Sequence, residues 1–247
     1  MTALQRLTRT EAVLFLRDKA QVFFVLVLPL ALVLGFGSSP GTREASEDFD
    51  GEVPLDALIA PLAVAVLLAI VAYNVVPTHV VSYREKGVLR RLSASPVRAS
   101  TLLAAVVLVK IAAALVSLVL LLVVGGVLVD LSLPAASLWF VLVFVLALAS
   151  LFSLSMVLAA RIPTASAATG IGMALFFPSM FLAGVYVPRE HLPDVLGRIG
   201  ELTPLGAALQ AMRDTWIGDA PSPLHVVVLA ASALLLGTIA SRTFRWE

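Results

Sequence analysis

Apolar residues fall along this chain in six long blocks, at roughly 21–37, 57–80, 109–129, 137–160, 165–186 and 223–241, separated by shorter polar stretches. A helix needs about 20 mostly apolar residues to cross the hydrocarbon core of a bilayer, and each block reaches or approaches that length. The pattern predicts an all-α integral membrane protein with six transmembrane helices, forming a single domain over residues 1–247.

The polar stretches set the orientation. Counted with both termini, 81–110 and 161–164 on one side, that side carries 13 of the 17 basic residues and 4 of the 16 acids. Short loops rich in Lys and Arg stay in the cytoplasm, so the chain is expected to be N-in and C-in. Residues 1–20 place Leu4, Leu7, Leu14 and Phe15 on roughly one face and Arg6, Arg9, Arg17 and Lys19 elsewhere. That reads as a cytoplasmic interfacial helix leading into the first span, or as a positive flank that sets topology. Pro29 is expected to kink the first span.

The loop 38–56 holds Glu44, Glu47, Asp48, Asp50, Glu52 and Asp56 without the spacing of a calcium loop, and reads as a solvated acidic loop. His79 has no acid within a turn or two and reads as a helix-end side chain. Ser95-Pro96 is a helix start, Ser as N-cap and Pro in the first turn. Lys110 is expected to reach the inner surface rather than stay at membrane depth, where a charge is costly. Trp139 is placed at the interfacial level of an aromatic belt, and Arg161-Ile162-Pro163 is a tight inside turn.

In the fifth block, Ser166/Gly170 and Ala168/Gly172 give the small-xxx-small spacing that permits close helix contact. Pro178 is expected to interrupt that helix. Residues 187–222 are too polar to span and too apolar for a free loop. They are expected to form short amphipathic or re-entrant helices on the outer side, with Leu192, Val195, Leu196, Ile199 and Leu202 at helical spacing. Arg242, Arg245 and Trp246 anchor the end of the last span.

Composition removes most other function classes. The 247 residues are 60% hydrophobic and 13% charged, with a mean hydropathy of +1.02, against about 45–50% and about 25% for soluble domains. No cysteine is present, which excludes disulfides, thiol catalysis and cysteine metal sites. No cleavable signal is evident. The net charge of +1 decides nothing about nucleic acid, and none is expected as a partner. There is no G-x-x-x-x-G-K-[ST] loop, no H-E-x-x-H and no G-x-S-x-G, and the three histidines are scattered. No catalytic residue, metal or cofactor site is expected in this chain. Ion-driven carriers usually keep acids or histidines in their membrane helices as relays, whereas the six blocks are essentially free of ionised groups. Energy for any transport should therefore come from a partner.

What stands out against this background is Tyr83–Val97, YREKGVLRRLSASPV, with Arg84, Lys86, Arg90 and Arg91 and a single acid, Glu85. It fits the pattern R-E-x-G-x-L-x-x-L-x-x-[ST]-P. A second motif runs through Phe181-Leu182-Ala183-Gly184-Val185-Tyr186-Val187-Pro188, then Leu192-Pro193, Pro204-Leu205 and Ala211-Met212-Arg213. In this order, and on opposite sides of the membrane, the two motifs resemble those of the membrane subunits of ABC-2 type exporters, in the daunorubicin-resistance-like group. Arg90 departs from the pattern where an acid is common.

The resemblance implies a permease that dimerises with a second copy or a paralogue in the bacterial inner (plasma) membrane. Each half would bind a cytoplasmic ATP-binding-cassette ATPase, which supplies ATP and Mg. Residues 83–97 would be the coupling segment, with Arg84, Glu85, Gly87, Val88, Leu89, Arg90, Arg91, Leu92, Ser95 and Pro96 meeting the ATPase. Val88, Leu89 and Leu92 can share one face, leaving Arg84, Glu85, Arg90 and Arg91 to the partner, and Gly87 allows close backbone approach. The competing reading is a basic loop lying on anionic lipid. The cargo would be a hydrophobic or amphipathic drug, antibiotic or lipid, on a path lined by spans one, two and five. Phe176, Phe177, Pro178 and Phe181 are candidates for an outer gate, or for plain helix packing. A polysaccharide or glycolipid exporter is the alternative, disfavoured by an aromatic content of 7%. A non-transporting sensor or anchor subunit is the alternative from another class.

Overall fold

The computed structural model describes residues 2–49, 51–88, 99–187 and 192–243. The described residues are helical and contain no strand. Nine helices are used below: α1 Ala3–Arg17, α2 Lys19–Gly37, α3 Leu55–Glu85, α4 Ala99–Val129, α5 Ser137–Arg161, α6 Ala165–Leu182, α7 Asp194–Glu201, α8 Pro204–Ile217 and α9 Pro223–Thr243. Six of them, α2 to α6 and α9, are long and apolar enough to cross a membrane.

The central helix is α3. Of its most apolar window 72% is buried inside the molecule, against 17–44% for the other five spans. Its run Ala60–Ile70 is apolar on every side, with ten of those eleven residues buried, as a helix enclosed on all faces requires. Around it, α4 packs on α2 and α1, α6 packs on α3, and α5 pairs with α9. The close helix contact expected of the fifth span is made with the second, and it uses one half of the small-residue pattern. Ala168 is fully buried, and a Cβ built on Gly172 would collide with the Tyr73 carbonyl oxygen and stand 2.9 Å from Asn74 Oδ1. Gly170 has open space instead.

Prolines shape the spans in two ways. Three π-helical turns, Phe23–Val27, Leu55–Ile59 and Val71–Val75, each end two residues before a proline, at Pro29, Pro61 and Pro77. Proline cannot donate to the carbonyl four residues back and crowds it. Here the preceding turn is wider: the Leu28, Ala60 and Val76 amides bond the carbonyls of Phe23, Leu55 and Val71, five residues back. The disturbance expected at Pro29 is therefore a π turn, an arrangement that is rare and often sits at functional sites. Pro178, by contrast, does not interrupt its helix. α6 runs through it to Leu182 and stops at Gly184, whose φ of +88° is left-handed. The Val185 amide there bonds the Met180 carbonyl and the Gly184 amide bonds that of Phe181, a Schellman ending.

Between spans five and six, α7 is amphipathic and half of it faces outward, with Val195 68% exposed. Its successor α8 is buried along Leu205–Leu209 and at Met212 and Trp216, packed on α3, α5 and α9. Thr203 caps α8 by accepting the Gly206 amide at 3.1 Å. Arg213 Nε donates to the Ala57 carbonyl at 3.2 Å, and Trp216 Nε1 to Ser132 at 3.2 Å. The last two bonds tie α8 to the first turns of α3 and to the loop before α5. His225 lies between α7 and α8, with Nε2 3.6 Å from Glu201 and Nδ1 3.9 Å from Asp214. The two carboxylates face opposite ring nitrogens, so they do not converge on one point as metal ligands would.

Candidate functional site

At the end of the bundle that carries the N-terminus, the last turns of α3 hold three neighbouring elements. Arg84 donates through Nη1 to the Ala159 carbonyl at 3.1 Å and through Nη2 to Ile162. A guanidinium therefore sits on the unpaired carbonyls at the C-terminus of α5, where the helix dipole favours a cation. Glu85 Oε2 accepts the Ala165 amide at 2.9 Å and so places a carboxylate on the N-terminus of α6. One dipeptide thus grips both sides of the 161–164 turn. Sequence reasoning had these two side chains free for a partner. The fold engages both in finishing two helix ends, and hydrogen bonds involving charged groups contribute about 1.5–3 kcal/mol each.

Gly87 follows with φ +67° and nothing within 4 Å of where a Cβ would be. The position needs glycine for its left-handed backbone, not for a near neighbour within the chain. Val88 is the last residue described here. Leu89, Arg90, Arg91, Leu92, Ser95 and Pro96 lie outside the described residues, as do Pro188 and the end of the chain at Arg245 and Trp246.

One turn before Arg84, α3 also holds α1. The Glu11 side chain accepts the Tyr83 hydroxyl at 2.6 Å and pairs with His79 Nε2 at 3.0 Å. Glu11 is 4% exposed. Burial alone would raise its carboxyl, but the hydrogen bonds from His79 and Tyr83, with the charges of His79 and Lys110, outweigh this and hold it below the usual 4.5. Two expectations change as a result. His79 does have an acid partner, brought from 68 residues away. Lys110 does not reach the surface: it is 2% exposed, lies 4.7 Å from the Phe15 ring centroid and donates to Gln21 Oε1. The covering helix α1, with an aromatic face and two carboxylates nearby, removes the need for the cation to reach water.

The sequence did contain a signal for this. Leu4, Leu7, Glu11 and Phe15 fall on one helical stripe at i, i+3, i+7 and i+11, so Glu11 is a charge on the apolar face. Leu14, assigned to that face, is instead half exposed and points into the cleft described next.

A cleft of about 760 Å³ opens between spans one, two and five. Its apolar walls include Phe24 and Leu28 of α2, Val66 and Ile70 of α3, and Met173, Phe176 and Phe177 of α6. Its polar end is formed by Asp18, Gln21, Thr78, His79, Ser82, Tyr83 and Lys86. Of the four gate candidates, Phe176 and Phe177 line it, their rings edge-to-face at 5.4 Å. Pro178 and Phe181 do not line it. The volume lies within the range of small-molecule sites, about 300–1,000 Å³. Both π turns that face it, Phe23–Val27 and Val71–Val75, contribute wall residues.

Among the described residues, six helices are long and apolar enough to cross a membrane, and a cleft opens between three of them. The model of one family, described as ABC-2 type transporter, matches residues 2–216, and the chain belongs to that family. It is therefore a multi-pass membrane protein and a permease component of an ABC transporter, the part that works with an ATP-binding-cassette partner. No curated protein matches the chain.

Proposed function

We propose that this permease exports hydrophobic or amphipathic compounds (drugs, antibiotics or lipids) from the cytoplasm or inner leaflet, as a member of the daunorubicin-resistance-like group. It acts as a dimer in the bacterial inner membrane, with both termini in the cytoplasm. The observation that carries the reading is the cleft between spans one, two and five. One wall is aromatic and aliphatic, and the polar end adjoins the segment that begins at Arg84. An amphiphile can place its tail along Phe24, Phe176 and Phe177 and keep its polar end near the membrane surface.

The coupling segment 83–97 receives the ATPase. In that role Arg84 and Glu85 act from inside, by fixing the root of the segment to the 161–164 turn, while Val88, Leu89, Arg90, Arg91 and Leu92 meet the partner. ATP and Mg are bound by the ATPase, and this chain needs no cofactor of its own.

Changing Arg90 and Arg91 together to Glu tests the arrangement. The co-expressed ATPase subunit is expected to co-purify with the unchanged permease. The double variant is expected to lower its permease-dependent ATP turnover by about tenfold or more, since reversed charges at a desolvated contact cost several kcal/mol. The reading is lost if no ATPase co-purifies, or if the variant leaves coupled turnover intact.

A further inference from the structure

Taking the cleft as the substrate path, we infer that the amphiphile it accepts carries an anionic polar end, a phosphate or carboxylate on an apolar tail. Most charged groups at the polar end of the cleft are already engaged within the chain. Asp18 accepts the Gln21 amide on Oδ1 at 3.0 Å and Gln21 Nε2 on Oδ2 at 2.7 Å. Glu11 uses one oxygen for Tyr83 and the other for His79. Glu85 is turned to the Ala165 amide. Each carboxylate near the cleft is thus directed at groups of its own chain.

Lys86 differs. It lines the cleft, is exposed, and forms no ion pair among the described residues. The polar groups not yet placed, Asn74, Thr78, Ser82 and Thr169, are all neutral; the Thr78 and Thr169 hydroxyls lie 3.4 Å apart, and Ser82 can donate. The sequence continues in the same sense: residues 87–98 add Arg90, Arg91 and Arg98 and no acid. An ammonium group with unused donors, beside hydroxyls and an apolar wall, matches an acceptor-rich anionic head on an alkyl tail. The competing occupant is a lipophilic cation, because the faces of Phe24, Phe176 and Phe177 would attract one.

The chain has no cysteine, so Met173→Cys places a single thiol on the cleft wall. The full-length variant, in phosphatidylcholine nanodiscs, is labelled with a maleimide in the presence of dodecyl phosphate, dodecyltrimethylammonium, dodecylphosphocholine or inorganic phosphate. Dodecyl phosphate is expected to protect the thiol at a concentration about fivefold or more below that of the cation, the size of one accessible ion pair. Adding Lys86→Gln should remove the preference and Lys86→Glu should reverse it, with inorganic phosphate inert throughout. The inference is overturned if the cation or the zwitterion protects as well, if Lys86→Glu keeps the order, or if inorganic phosphate alone protects. If no amphiphile protects, the cleft is not the path, and the proposed function falls along with this inference.

Discussion

Gly172→Ala is expected to force spans two and five apart and to destabilise the permease, while Gly170→Ala, two residues away, is expected to be neutral or slightly stabilising. The contrast is steric. At Gly172 even a methyl group meets the Tyr73 carbonyl and Asn74 Oδ1, both fixed by α3, whereas at Gly170 nothing lies within 4 Å. Overpacking a tight contact costs about 1–3 kcal/mol or more. Alanine at an open helical position favours the helix by roughly 0.5–1 kcal/mol over glycine. Thermal unfolding in detergent, followed by the monodisperse fraction on size exclusion, separates the two. Equal midpoints would show that the helices do not meet at Gly172. Because Met173, Phe176 and Phe177 ride on the same helix, the cleft should lose its ligand protection in Gly172→Ala before the protein unfolds.

The second large effect belongs to Glu11. Glu11→Ala takes the partner from His79 and Tyr83 and one of the two nearby carboxylates from the buried Lys110, and removing one partner from a buried charge pair costs about 3–5 kcal/mol. Glu11→Gln still offers Tyr83 an acceptor and should cost less. Glu11→Ala combined with Lys110→Met removes both buried charges, and it should recover much of the loss. If the double variant is no better than Glu11→Ala, the two groups are not coupled.

The same carboxylate sets an acid limit. Its carboxyl is held below the usual 4.5 in the folded chain, so its contribution is fully present above about pH 4.5 and is lost as pH falls through the lower folded value. A spin label at Arg9→Cys should therefore stay immobile down to about pH 4.5 and loosen only in stronger acid. Loosening near pH 6–7 would place the control elsewhere.

The spans were legible because hydropathy is a local property. All six apolar blocks became helices, and one half of the small-residue pattern, Ala168 and Gly172, marked the face of α6 that meets α3 while Gly170 lies in open space. What was not legible was set by partners far apart in the chain. His79 lacked an acid only along the sequence, and Lys110 lacked a cover only until α1 folded back over it. Arg84 and Glu85 looked available because the helix ends they complete lie 75–80 residues further on. The prolines misled in a different way. A proline removes one bond, but whether the chain answers with a π turn, as before Pro29, Pro61 and Pro77, or passes through, as at Pro178, depends on its neighbours. The place of Glu11 on the apolar stripe of the arm was the clue to its burial.

The grip of α3 on its neighbours has a mechanical consequence. Within two helical turns, His79 and Tyr83 hold the arm, Arg84 holds the end of one span, and Glu85 holds the start of the next. Such a joint has little slack. A force applied beyond Gly87 does not simply bend one helix. It loads three anchorages together, and the stroke that reaches the cleft is shared among the arm, α5 and α6 in proportion to their stiffness.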